Sequence, residues 1–227
     1  MRPLLAIGLL LLPAQEKAAV AGKVTVAAGA KPKIVVLKYT GSDAKLLTPA
    51  PTAAPIVWLE GGATFPPVQE AMAEVRQEGL QYRPRSLAVR TGTTVRFTCI
   101  DPTLHNVFAL RSPTRFDLGK HGAGAQPAQQ FPAKGLVHVR CKMHDHMAAF
   151  IHVFDHPYFA VAREDGSYSI PDVPPGRYAL VAWLEGFETV RREVEVKPGG
   201  PAIDLEFARL EGAPAERSLA AGCCAPR

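Results

Sequence analysis

The densest chemistry in this chain falls in seven consecutive residues, Cys141-Lys142-Met143-His144-Asp145-His146-Met147. They offer a thiolate, an imidazole and a thioether at the spacing C-x2-H-x2-M. A soft sulfur, a nitrogen and a weak axial sulfur are the donors of a mononuclear copper electron-transfer site, provided a second histidine joins them. His105, within Asp101-Pro102-Thr103-Leu104-His105-Asn106-Val107-Phe108, is the candidate for that role. It lies too far from Cys141 for one zinc knuckle, so two loops must meet at one end of a fold. Zinc is the competing metal. A structural zinc site takes four strong donors in a tetrahedron, and a thioether is a poor fourth. A binuclear copper centre would need a second cysteine in the loop, which has none.

Both stretches follow alternating strands. In residues 94–99, Val95, Phe97 and Cys99 alternate with Arg96 and Thr98, and the strand runs on toward His105. In residues 135–141, Val137, Val139 and Cys141 share an inner face while His138 and Arg140 point outward. Residues 148–154 form a strongly apolar strand beyond the ligand loop. Upstream, residues 22–26, 33–39 and 56–59 are strand-like in β-branched content. Residues 66–78 lean to helix by propensity, and residues 111–130 read as a Gly- and Pro-containing loop. Downstream, the turn signals Asp165-Gly166 and Pro175-Gly176 bracket alternating apolar positions at Tyr168, Ile170, Tyr178 and Leu180. Short strands at such spacing argue for an all-β sandwich architecture.

A chain of 227 residues holds one large or two small domains. Residues 1–12 read as an export signal: Arg2, then an apolar run too short for a bilayer, where about 20 residues are needed. Cleavage after Ala14 or Ala21 is expected. With no other long apolar run, the mature chain is expected to have no membrane span and to be periplasmic or secreted. The four cysteines, Cys99, Cys141, Cys223 and Cys224, do not look like a disulfide framework. Cys141 is wanted as a ligand, and Cys223 and Cys224 sit side by side in a polar tail, a weak sign of soft-metal binding or chain joining. A Cys99–Cys141 bridge is the alternative and would abolish the metal site; Cys99 otherwise reads as a buried small hydrophobe. The net charge of +5 comes without a basic tract interleaved with aromatics, which excludes nucleic acid as a partner. A mild preference for acidic partners is all that it supports.

Residues 80–154 resemble the cupredoxin family of blue copper proteins (plastocyanin/amicyanin-like). The resemblance rests on the Val-x-Phe strand, Asp101, His105-Asn106-Val107-Phe108, the Lys134-Gly135 turn and the loop from Cys141 to Met147. The short interval between His144 and Met147 is more like amicyanin than plastocyanin. The resemblance implies a Greek-key β-sandwich with one type 1 copper ion. Cys141, His105 and His144 would form its trigonal plane, Met147 would be the long axial ligand, and Asn106 would tie the two ligand loops together. It also implies a strand rather than a helix within residues 66–78, and electron exchange with redox partner proteins through an exposed edge of His144. Asp145 and His146 depart from the family, which usually has proline after the ligand histidine and an apolar residue before the methionine. His146 is expected to face solvent, with an alternative-ligand role as the sharper reading. His138, His152 and His156 are given no role.

Residues 164–182 look like a carboxypeptidase regulatory-like (transthyretin-like) β-sandwich, a structural or interaction module that is smaller than the first sandwich. This module lacks its opening strands, and Gly22-Lys23-Val24 and Ile56-Val57-Trp58-Leu59 match them. Either the copper domain is inserted in a loop of the second sandwich, or the early strands extend the cupredoxin sheet. The expected layout is a signal peptide at 1–21, N-terminal strands at 22–60, the copper domain at 61–155, the second module at 156–208 and a flexible tail at 209–227. Electron transfer is the expected function. Copper storage or delivery, using His146 as well, is the rival, and a surface interaction module is a third class. No Ser-His-Asp order, paired-carboxylate motif or Gly-rich phosphate loop points to an enzyme.

Overall fold

The computed structural model describes residues 16–30, 32, 41–48 and 52–208. The strand expected at 33–39, nearly all of the export signal and the tail with Cys223 and Cys224 lie outside them. The described residues are all-β, with one short 3-10 turn at Ala44–Leu46 and no α-helix among them.

The chain opens with β1 (Ala18–Val26) and β2 (Ile56–Glu60), which do not pair with each other. Nine strands follow: β3 (Met72–Gln77), β4 (Tyr82–Arg83), β5 (Ser86–Arg90), β6 (Thr94–Cys99), β7 (His105–Ala109), β8 (Phe116–His121), β9 (Ala128–Gln130), β10 (Gly135–Arg140) and β11 (Ala148–Phe154). They form two sheets, ordered β5-β11-β10-β7-β8 and β4-β3-β6-β9. Val75, Val95 and Phe97 from the second sheet meet Val107, Val137, Val139, Ile151 and Val153 from the first in one core. The chain closes with β12 (Phe159–Val161), β13 (Ser167–Val173), β14 (Gly176–Trp183), β15 (Val190–Val196) and β16 (Leu205–Phe207).

These last strands enclose the first two. β1 lies between β13 and β16, and β2 lies between β12 and β14. Val20 and Val24 of β1, Val57 and Leu59 of β2, and Ile170, Leu180 and Phe207 share a second core. Among the described residues, the strands before residue 61 thus pair with strands after residue 155, and neither joins the sheets around His105 and Cys141. β1 already begins at Ala18, whose side chain is buried together with that of Val20. Cleavage after Ala21 would remove part of a paired strand, whereas cleavage after Ala14 leaves it whole.

One open reading is resolved, to the strand that the resemblance implied and not the helix of local propensity, and one segment differs from expectation. Residues 72–77 form β3 in spite of their helical propensity. Parallel pairing with β6, with Val75 and Gln77 turned inward, outweighs the weak local preference. Residues 111–130 are not simply a loop, because they contain β8 and β9. β8 pairs antiparallel with β7 across a bulge between Asn106 and Phe108, and β9 pairs with β6. Both are edge strands with little apolar alternation, so backbone pairing rather than pattern defines them.

β11 is buried along its whole length, which accounts for its apolar run, broken only by His152. Ala149, Ile151 and Val153 face the first core, while the rings of Phe150, His152 and Phe154 meet Trp58 and Trp183 of the second sandwich. Arg85 and Glu185 close the same junction with a bidentate ion pair at 2.5 and 2.6 Å. Arg85 also donates to the carbonyl of Ala148, the residue after Met147.

Candidate metal centre

Three of the expected donors converge. His105 begins β7, Cys141 follows the end of β10, and His144 stands in the loop leading to β11. Their ligating atoms lie within 4.8 Å of one another, and all three side chains are buried. The Nδ1 atoms of both histidines face the sulfur: His144 Nδ1 is 3.5 Å and His105 Nδ1 is 4.0 Å from Cys141 Sγ. Met147 is fully buried in the core that also holds Cys141, and its N–H donates to the His144 carbonyl at 2.9 Å, closing the loop into a tight turn. Cys99 and Cys141 are separate free thiols, and burial pushes Cys99 up to about 11, as suits an inert core residue.

The opposite edges of the two imidazoles are held by carboxylates. His105 Nε2–H donates to Asp101 Oδ2 at 2.9 Å, and His144 Nε2–H donates to Asp43 Oδ2 at 3.0 Å. A proton fixed on Nε2 leaves the Nδ1 lone pair directed at the sulfur, the tautomer a metal ligand needs. Burial and the neighbouring His144 lower the His105 pKa against the pull of Asp101, a shift toward the neutral ring. Burial raises the Cys141 thiol, while the backbone N–H groups of Asn106, Met143 and His144 favour the thiolate. A soft sulfur with two imidazoles and a thioether nearby fits copper better than zinc.

Asp101 does more than hold His105. Its Oδ1 accepts from Gly79 N–H at 2.7 Å, and its Oδ2 also accepts from Leu80 N–H at 3.0 Å. Leu80 sits at φ 54, in the left-handed region that few side chains of its kind enter, although it is fully buried. Its carbonyl in turn accepts from His146 Nε2–H at 2.9 Å. One corner of backbone therefore links the loop before His105 to the loop after His144.

Asn106 ties the loops together by two routes. Its backbone N–H donates to Cys141 Sγ at 3.5 Å, and its side-chain amide donates to Asp117 Oδ1 at 2.7 Å. Asp117 Oδ2 accepts from Lys142 of the ligand loop. The Lys142 ammonium, with the Asn106 amide, holds the Asp117 carboxyl down to about 2.

Two expectations are corrected. His144 has no exposed edge: it is 1% exposed, because Asp43 and its segment lie over Nε2. His146 does not face solvent but is half-buried, drawn in by the Leu80 carbonyl, and burial lowers its pKa. Four supporting groups carried no role in the sequence reading: Asp43, the Leu80 carbonyl, Asp101 and Asp117. Asp101 entered the sequence reading as part of the family motif but without a role, which its place four residues before His105 could have suggested. Asp43 gives no such signal, since it meets His144 across 101 residues of chain.

Residues 153–202 match the family described as polysaccharide lyase family 4, domain II. None of the curated proteins matches the chain. Among solved structures the chain is similar to a copper-containing nitrite reductase from Thermus scotoductus SA-01, at 23% identity over 42% of this chain, with a TM-score of 0.36. It spans only 24% of that reductase. It is also similar to a purple cupredoxin from Nitrosopumilus maritimus, at 20% identity over 36% of this chain and 99% of that one, with a TM-score of 0.33. A reduced mutant of amicyanin is similar at 17% identity over 43% of this chain and 98% of that one, with a TM-score of 0.35.

Proposed function

We propose that the chain is an electron carrier that holds one type 1 copper ion between His105, Cys141 and His144, with Met147 as the weak axial ligand. The observation that carries this reading is the meeting of both Nδ1 atoms on Cys141 Sγ, 3.5 and 4.0 Å away, with both Nε2 atoms engaged by carboxylates. Copper bound there supplies a one-electron couple between Cu(II) and Cu(I). The protein's part is to keep the donors where they are. Asp101 and Asp43 fix the two rings, the Asn106 N–H steadies the sulfur, and the Asp117–Lys142 pair pins the ligand loop to β8. Rigidity of this kind keeps reorganisation small when charge changes at the centre.

On this reading the chain transforms no substrate and exchanges electrons with redox partner proteins in an exported compartment. The second sandwich, part of which resembles a carboxypeptidase regulatory-like module, serves as its host and as an interaction surface. The test is the visible spectrum of the purified chain with one equivalent of Cu(II). An intense red-absorbing thiolate-to-copper band is expected, and Cys141→Ser abolishes it, since only a thiolate provides that transition. A colourless Cu(II) complex in the parent protein sinks the electron-transfer reading. Rapid loss of copper to a chelator, with no stable reversible potential, would favour storage or delivery instead.

A further inference from the structure

All three converging donors come from residues 61–155, yet the group over His144 does not. Asp43 belongs to residues 41–48, which precede β2. This segment is fastened at several points to the sandwich that carries the donors. Asp43 Oδ2 accepts from His144 Nε2–H at 3.0 Å and from Thr103 Oγ1–H at 2.9 Å. Leu46 packs against the first core. Thr48 donates its N–H to the Gly79 carbonyl at 2.9 Å, and its hydroxyl accepts from Arg83 at 2.7 Å. Gly79 is at φ 65, and a Cβ there would come within 2.3 Å of Thr48 Oγ1, so the segment lies close against that corner. With the segment in place His144 is 1% exposed, while the Asp43 side chain itself keeps 18% exposure. The carboxylate is the layer between the imidazole and water.

We infer that residues 41–48 are a strap completing the metal centre from outside the unit that supplies its ligands, with Asp43 as the residue that orients His144 and shuts its edge. The inference rests on the copper reading above for its functional meaning. A carboxylate accepting from the far nitrogen of a ligand imidazole fixes the tautomer and makes the ring a stronger donor; loss of such a partner typically costs about 10–100-fold in metal affinity. The same strap denies small external ligands an approach along the His144 side. Electrons that pass between His144 and the surface do so beside the Asp43 carboxylate and not from a bare ring edge.

The experiment compares the full-length parent with Asp43→Ala and Asp43→Asn, first without metal. In nitrogen-15 histidine spectra, the parent shows His144 as the Nε2–H tautomer with a slowly exchanging proton. Asp43→Asn retains it, because the amide oxygen still accepts. Asp43→Ala loses it, with exchange at least about tenfold faster, the change that losing one hydrogen bond of ~1.4 kcal/mol brings. Unchanged His144 signals in Asp43→Ala overturn the inference whatever copper does.

With copper, competition against a chelator is expected to show Cu(II) binding weakened about 10–100-fold in Asp43→Ala and less in Asp43→Asn. Added azide perturbs the Cu(II) spectrum of Asp43→Ala and leaves that of the parent unchanged. Equal affinity and equal azide exclusion in the parent and Asp43→Ala overturn the strap. A parent that binds no copper overturns the preceding proposal instead, and the metal-free spectra still decide the role of Asp43. Should Asp43→Ala fail to fold, Thr103→Val loosens the carboxylate in place and is expected to speed exchange at His144 in the same sense.

Discussion

Removing the Asp101 carboxylate is the sharpest perturbation of this centre that can be read without metal. Asp101 is 5% exposed, and its two oxygens accept three donors: Gly79 N–H at 2.7 Å, Leu80 N–H at 3.0 Å and His105 Nε2–H at 2.9 Å. Leu80 and His105 are fully buried, so water does not replace the acceptor readily. Asp101→Ala leaves three donors unmatched at about 1–3 kcal/mol each, a simple sum of about 3–9 kcal/mol. The three share one site and are not independent, which places the expected loss in the lower half of that range, at about 3–5 kcal/mol. Asp101→Asn keeps the shape and one acceptor oxygen but turns an amide N–H2 toward a donor, for a loss of about 2 kcal/mol. The assay is urea unfolding of the metal-free protein followed by circular dichroism, so that metal binding adds nothing to stability. A loss below about 1 kcal/mol for Asp101→Ala, or a larger loss for the asparagine variant, would refute the argument that this carboxylate organises the corner.

Three further outcomes are expected. Burial depresses the His152 pKa from 6.5 to about 4, so the unfolded chain binds more protons across that window and stability falls as pH drops through it. The decline for this one residue reaches about 3 kcal/mol at about 1.4 kcal/mol per pH unit. His138, also held at about 4, and the lowered His105, His146 and His156 contribute in the same direction, so His152→Phe should remove only its own share of about 3 kcal/mol from the acid limb of a stability–pH curve; an unaltered limb would show that His152 is not buried neutral. Met147→Leu preserves the blue band and raises the reduction potential, because a weak donor that favours Cu(II) is lost; a spectrum unmoved by Met147→Leu but altered by His146→Ala would reassign the axial position. Finally, residues 156–208 alone should not fold, since they lack β1 from the middle of one sheet and β2 from the middle of the other; cooperative unfolding of that fragment contradicts the pairing.

The parts of the molecule that chemistry or alternation specifies were legible in the sequence. Val95, Phe97 and Cys99 alternate as a half-buried strand must, and they do face the core. The strongly apolar run of β11 announced burial, though not that its second face, His152 included, would meet tryptophans of another sandwich. The three donors stood out because few residue types combine in that spacing without a metal. What could not be read were groups whose role depends on distant pairing. Nothing near Asp43 marks it as the neighbour of His144, and Leu80 gives no sign that its backbone will sit at positive φ. β8 hides for a related reason: its hydrogen bonds are made by backbone, which every residue possesses. His146 was misjudged because a charged or polar residue in a loop defaults to solvent unless a buried carbonyl, here that of Leu80, offers a better partner.

The place of β1 has a consequence for the order in which this chain becomes a protein. Lys23 donates its backbone N–H to Asp204, 181 residues later. At a synthesis rate of about 5–20 residues per second, the first strand waits roughly 10–35 s for that partner to be made. β1 and β2 present unpaired edges until β12 to β14 are made, and by then the sheets around His105 and Cys141, complete at residue 154, have all of their strands. The sandwich that carries His105, Cys141 and His144 therefore has all of its strands before its neighbour does. Closure of the second sandwich belongs to the final strands.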